Sequence, residues 1–192
     1  MLTFARLLTV LWFLAFSLPY AQANEAEAPD PLVLRIDPLV HDGKLEINAD
    51  VRFDLNQTLR EAAERGIPLH FTADLVIARS RWWWFEETLV DTSITWRIMY
   101  NALTRQWRAG SGELSLPVAS LDEAMDTLRH IRNWRVAKVG ELSNDKEYRG
   151  KLRVRLDTSL LPRPFQVNAL NSSSWAPATP WAPFTFSLAI QD

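Results

Sequence analysis

The sequence predicts a mainly β protein, an antiparallel β-sandwich that is immunoglobulin-like in outline, with two short helices in its connections. The alternative is an α+β arrangement in which one antiparallel sheet is backed by those helices. Three observations point there. Long stretches alternate apolar and polar residues with period two, which gives a strand one buried and one wet face. Two short segments repeat instead at helical spacing behind capping residues. Turn residues separate these runs at hairpin-like intervals. Strands with one wet face are antiparallel, and two such sheets bury their apolar faces against each other.

The elements follow in order. Leu45, Ile47, Ala49, Val51 and Phe53 alternate with Lys44, Glu46, Asn48, Asp50 and Arg52. Asp42-Gly43 before them signals a hairpin with the strand over Leu32 to Val40. A helix is predicted from Asn56, a capping residue, to Arg65, with Leu59, Ala62 and Ala63 on one face and Gly66 and Pro68 ending it. Leu69, Phe71, Ala73, Leu75 and Ile77 return to alternation. A long strand runs from Thr88 to Tyr100, and a shorter one from Thr104 to Arg108. Gly110-Ser111-Gly112 turns the chain into Glu113 to Leu116.

Ser120 and Glu123 form a capping box. Leu121, Ala124, Met125, Leu128 and Ile131 then recur at helical spacing, with Arg129, His130 and Arg132 closing that helix against its dipole. Trp134 to Val139 predicts a strand, and Leu152, Val154 and Leu156 predict another with Lys151, Arg153 and Arg155 on its outer face. Leu161 to Pro183 reads as irregular chain before a last strand over Phe184 to Ile190.

Residues 1–23 read as a secretory signal peptide. Arg6 supplies the positive region, Leu7 to Leu18 the apolar one, and Ala21-Gln22-Ala23 the small residues of a cleavage site. The apolar run is short of the roughly 20 residues that span a bilayer. Export by the Sec route to the periplasm is expected, with an uncleaved inner-membrane anchor as the alternative. Residues 24–31 form a flexible leader, and residues 32–192 a single β-rich domain.

The chain has no cysteine, which excludes disulfides, thiolate nucleophiles and thiolate metal sites. A net charge of −2 gives no electrostatic footprint for nucleic acid. His41, His70 and His130 are scattered without ligand spacing, and no phosphate-binding glycine loop or nucleophile elbow occurs, so no cofactor or metal is expected.

The densest local signal is Arg79-Ser80-Arg81-Trp82-Trp83-Trp84-Phe85-Glu86-Glu87. Consecutive aromatics cannot all face one core from a strand, because side chains alternate. Either some indoles are exposed or the segment is an irregular loop capping the sandwich. Arg79, Arg81, Trp82, Trp83, Trp84 and Phe85 are therefore candidate binding residues, since tryptophan and arginine dominate interface hot spots. The same indoles suit a membrane interface. Tyr100, Arg105 and Trp107 form a second candidate groove, with cross-strand packing as the other reading. Asp157, held between Leu156 and the Pro162-Arg163-Pro164 run, reads as a structural corner. Glu86, Glu87 and Asp91 are the carboxylates available for glycan or lipid hydrolysis.

Four segments carry a resemblance: Gly66 to Leu69, Arg81 to Phe85, Ala102 to Arg108, and Leu156 to Gln166. Through them the chain resembles a family of proteobacterial exported proteins, the domain of unknown function 4390. The resemblance implies a Gram-negative periplasmic location. It implies no activity, substrate or catalytic residue. Members are often encoded beside a two-component sensor kinase, which implies a membrane sensor as partner. The expected function is a non-enzymatic periplasmic binding module that contacts a cell-envelope protein. An envelope hydrolase and a peripheral membrane-binding protein are the alternatives.

Overall fold

The computed structural model describes residues 29–82, 85–142 and 147–188. The expected signal peptide over 1–23, most of the expected leader, and Trp83, Trp84 and Ile190 lie outside the described residues.

Strands β1 (Leu32–His41) and β2 (Lys44–Arg52) form the expected hairpin, closed by Asp42 and Gly43, whose φ angles of 50° and 68° suit a tight two-residue turn. Helix α1 (Gln57–Glu64) starts where Asn56 Oδ1 accepts the Leu59 amide at 3.0 Å. It buries Leu59, Ala62 and Ala63, as their spacing predicts. Gly66, at φ 83°, turns the chain into β3 (Leu69–Trp82), which hairpins into β4 (Phe85–Asn101).

β5 (Gln106–Ser111) and the short β6 (Leu116–Val118) complete a meander. Helix α2 (Leu121–Arg129) carries the chain to β7 (His130–Lys138). β8 (Glu147–Leu156) returns to the larger sheet, helix α3 (Arg163–Asn171) follows, and β9 (Ala182–Ser187) ends the order.

The strands form two antiparallel sheets, β1-β2-β7 and β6-β5-β4-β3-β8-β9. The helices sit in connections, so the sandwich-like arrangement is the one observed. One core joins the sheets. Leu45, Ile47 and Val51 of β2 meet Leu69, Phe71, Leu75 and Ile77 of β3, Trp96 and Ile98 of β4, and Leu152 and Val154 of β8 in a single apolar cluster. Phe53 stands edge-on to Phe71 at 5.3 Å between centroids.

The outer face of the larger sheet is polar as expected. Asp74 accepts from the Nε of both Arg153 and Arg155 at 2.9 Å, and Thr72 and Thr95 hydroxyls meet at 2.8 Å. Trp181 lies under Lys151 and Arg153, 5.0 Å and 4.6 Å from its ring centroid.

Three expectations need correction. The second helix stops at Arg129, and His130, Ile131 and Arg132 belong to β7. Asp50 of β2 draws both His130 and Arg132 into hydrogen bonds, while Ile131 pairs opposite Ala49. Arg129 alone closes the helix, held by Asp126 at 3.1 Å and Asp54 at 2.7 Å. The strand predicted over Thr104 to Arg108 begins at Gln106. Asn101 Oδ1 accepts the amides of Leu103 and Thr104, and Arg105 takes a φ of 53°.

Finally, the tail predicted as irregular contains α3. Pro162 caps it and Pro164 sits in its first turn, where the missing N–H has no intrahelical role.

Phe71→Ala removes a ring with no solvent exposure and strips Phe53 of its edge contact. Urea denaturation is expected to record a loss of about 3–5 kcal/mol. Leu103→Ala, at a side chain 97% exposed, is expected to stay within about 0.5 kcal/mol of the parent.

Candidate functional site

The β3–β4 hairpin carries the first candidate segment. Both strands run through it, with Ser80 opposite Glu86 and Trp82 opposite Phe85. The segment is therefore paired strand up to Trp82 and from Phe85, not an irregular loop over Arg79 to Glu87. Arg79 is bound at its base, donating from Nε and Nη2 to Glu87 Oε2 at 2.9 Å and 2.8 Å. It fixes the register of the hairpin and is already engaged. Arg81 and Trp82 end β3, and Phe85 begins β4. Trp83 and Trp84 lie outside the described residues.

The neighbours of this hairpin stop short of it. β8 pairs with β3 only as far as Arg79, opposite Tyr148. β5 pairs with β4 only from Trp96 to Asn101. From Phe85 to Thr95, β4 therefore has no strand partner on its far side among the described residues. A bulge at Leu89, between the Ile77–Val90 and Ala78–Thr88 pairs, interrupts it once.

The carboxylates considered for hydrolysis lie here. Glu86 is exposed and reaches Arg149 at 3.5 Å, and Asp91 is exposed on the outer face opposite Val76. Glu87, the third of them, holds Arg79 at 2.8 Å.

The second candidate group is partly assembled. Tyr100 and Trp107 pair across β4 and β5, with ring centroids 5.1 Å apart and planes tilted by 48°. They line an open cavity of about 330 Å³ together with Glu64 from the last turn of α1. Arg105 stands on the exposed turn between the two strands and does not line it. Gly66 turns the chain here at a φ of 83°, which favours glycine, and a Cβ there would lie a tight 3.3 Å from the Tyr100 carbonyl oxygen. Sequence reading missed Glu64. Its one signal was its place in the final helical turn before a glycine that returns the chain to the sheet. Among the described residues no group of His, Cys, Asp or Glu is arranged to hold a metal ion, and no helix is long and apolar enough to cross a membrane.

The model for the family described as domain of unknown function (DUF4390) matches residues 33–185, most of the chain. The chain belongs to the DUF4390 family. No curated protein and no solved structure matches it. In this DUF4390 chain the Leu156 to Gln166 segment is the structural corner its residues suggest. Asp157 Oδ1 accepts from the Ser159 amide at 3.1 Å and the Ser159 hydroxyl at 2.6 Å, and the Asp157 amide donates to the His70 carbonyl at 2.7 Å. Gln166 then ties α3 down by donating to the Ser159 and Leu161 carbonyls. Burial opposes ionisation of Asp157, but the Ser159 hydrogen bonds and the Arg155 charge outweigh it and hold the carboxyl below its usual range.

His70 sits against this corner with a buried Nδ1 that makes no hydrogen bond. Burial, reinforced by the Arg97 charge, pushes its pKa below the usual 6.5. The unfolded chain therefore takes up a proton near 6.5 that the folded protein refuses. Stability is intact above 6.5 and falls as the pH drops below it toward the folded value. Asp50 and Asp157, both lowered, keep their contributions above 3.8 and lose them as the pH falls below it, so the loss that begins just below 6.5 belongs to His70 and not to them. Melting temperatures of the parent are expected to decline just below pH 6.5, and His70→Phe is expected to flatten that segment. An unchanged slope in the variant would refute the assignment.

Proposed function

We propose that this protein is an exported, non-enzymatic binding module of the Gram-negative periplasm, and that it contacts a cell-envelope protein through the β3–β4 hairpin. A membrane sensor kinase is the favoured partner. The supporting observation is the open edge of β4. A bare strand edge is a template for another chain, and folded proteins blunt such edges with proline, charged residues, bulges or brevity.

The other border strands are blunted in these ways. β1 has Pro38, β9 has Pro183, and β6 is three residues long and holds Pro117. β7 carries Arg132, Arg135 and Lys138, with Asn133 at a φ of 53°. From Phe85 to Thr95 β4 has no proline, lysine or arginine; its only such devices are the bulge at Leu89 and the acidic Glu86, Glu87 and Asp91, and from Thr92 to Thr95 it has neither charge nor bulge.

An extended segment of a partner adding to this edge would gain main-chain hydrogen bonds. The partner is a different chain. Two copies pairing edge to edge would bring together two sets of Glu86, Glu87 and Asp91, which disfavours a self-complex.

A photo-crosslinker at the exposed Thr88 tests this in the native periplasm. One envelope protein is expected in the adduct. Asp91→Lys with Ser93→Lys, both at exposed positions, installs the charges other edges carry and is expected to abolish the adduct with the melting temperature retained. Survival of the adduct overturns the reading. So does a purified parent that sediments as a dimer and becomes monomeric with the same substitutions. Flotation of the parent with liposomes would favour the membrane alternative instead.

A further inference from the structure

Tyr100 and Phe85 are fifteen residues apart on β4, about 50 Å at the usual strand rise. The cavity at Tyr100 is thus remote from the hairpin tip and independent of it. Its walls hold three polar groups without a hydrogen-bond or ion-pair partner among the described residues: the Glu64 carboxylate, the Tyr100 hydroxyl and the Trp107 indole N–H.

The carboxylate is misplaced for helix stability. It lies in the last turn of α1, at the negative end of the helix dipole, and no basic residue accompanies it there. The nearby arginines are engaged elsewhere, Arg65 with Glu61 at 3.5 Å and Arg60 with Asp122 at 3.8 Å. Beside this charge stand two aromatic rings in contact, both half-buried. Ring faces attract cations through their quadrupole, and tryptophan does so most strongly. A carboxylate and two aromatic walls on an open cavity of about 330 Å³ suit a compact organic cation.

We propose that Glu64, Tyr100 and Trp107 form a binding site for an organic cation, an alkylammonium or guanidinium group. The cation sits against the Tyr100 and Trp107 rings, and its charge is met by Glu64. Binding relieves the repulsion between Glu64 and the end of α1, so occupancy stabilises the helix. Arg105, exposed on the adjoining turn, supplies an opposing charge at the rim and sets an upper limit on affinity.

Titration of the isotopically labelled protein tests this, with resonances followed at Glu64 and at the Trp107 indole N–H. The probes are tetramethylammonium, as in a lipid headgroup; n-butylammonium and n-propylguanidinium, as in lysine and arginine side chains; and neutral neopentanol. Saturable shifts confined to Glu64, Tyr100 and Trp107 are expected with at least one cation and absent with neopentanol. The cation that binds most tightly identifies the source.

Glu64→Gln, at an exposed position, keeps the shape and removes the charge. It is expected to weaken binding at least threefold, to raise the melting temperature of the free protein, and to abolish the rise that the cation gives the parent. Arg105→Ala is expected to tighten binding. Shifts that fail to saturate, that appear equally with neopentanol, or that survive Glu64→Gln unchanged overturn the proposal.

Discussion

The structure depends on the burial of β3. That strand is paired on both sides from Phe71 to Arg79, and its inward side chains Leu69, Phe71, Ala73, Leu75 and Ile77 are wholly excluded from water. Each large apolar side chain so placed contributes about 1.5–3 kcal/mol. Four of them together match the net stability of an ordinary domain. A slip of one residue would send all five to the wet face, so the register of β3 is strongly specified. The registers of β4 and β8 follow from it. Arg79 falls opposite Glu87, and Tyr100 arrives beyond the end of the core beside α1. Both candidate sites are thus consequences of one buried face.

The central strands were legible because their alternation is long and uninterrupted. β2, β3 and β8 read directly from period two, and Asn56 and Ser120 mark the starts of α1 and α2 where their side chains cap them. The end of α2 was not legible. Helical spacing continues through Ile131, and only the cross-sheet demand of Asp50 on His130 and Arg132 decides that the strand begins there. Helix α3 was hidden for a different reason. Two prolines around Arg163 suggest an extended stretch, yet both lie where a helix tolerates them, and the bonds that hold the helix come from Gln166 to carbonyls of the preceding corner.

The sites were legible in halves. Tyr100 and Trp107 stood out by composition, and a tight hairpin places them opposite each other. Glu64 could not be joined to them, because no local pattern says that the turn at Gly66 brings the end of α1 against β4. Arg79 reads in the sequence as a candidate binding residue, and in the structure its guanidinium donates to Glu87 across the hairpin, a pairing that no local pattern announces. The open edge of β4 was invisible for a simple reason. A sequence can mark a strand, but the length over which a neighbour accompanies it depends on where that neighbour stops. β5 ends its pairing at Trp96, well before β4 does.

The account rests on that mismatch in length, and backbone hydrogen exchange on the isolated full chain tests it directly. Amides of β3 from Phe71 to Arg79 and of β4 from Trp96 to Ile98 are accompanied on both sides and are expected to exchange slowly. Between Phe85 and Thr95 every second amide points away from β3 and is expected to exchange fast, giving an alternating record along one strand. Uniform protection from Phe85 to Ile98 would contradict the account, because it would mean that another part of the chain already occupies the edge.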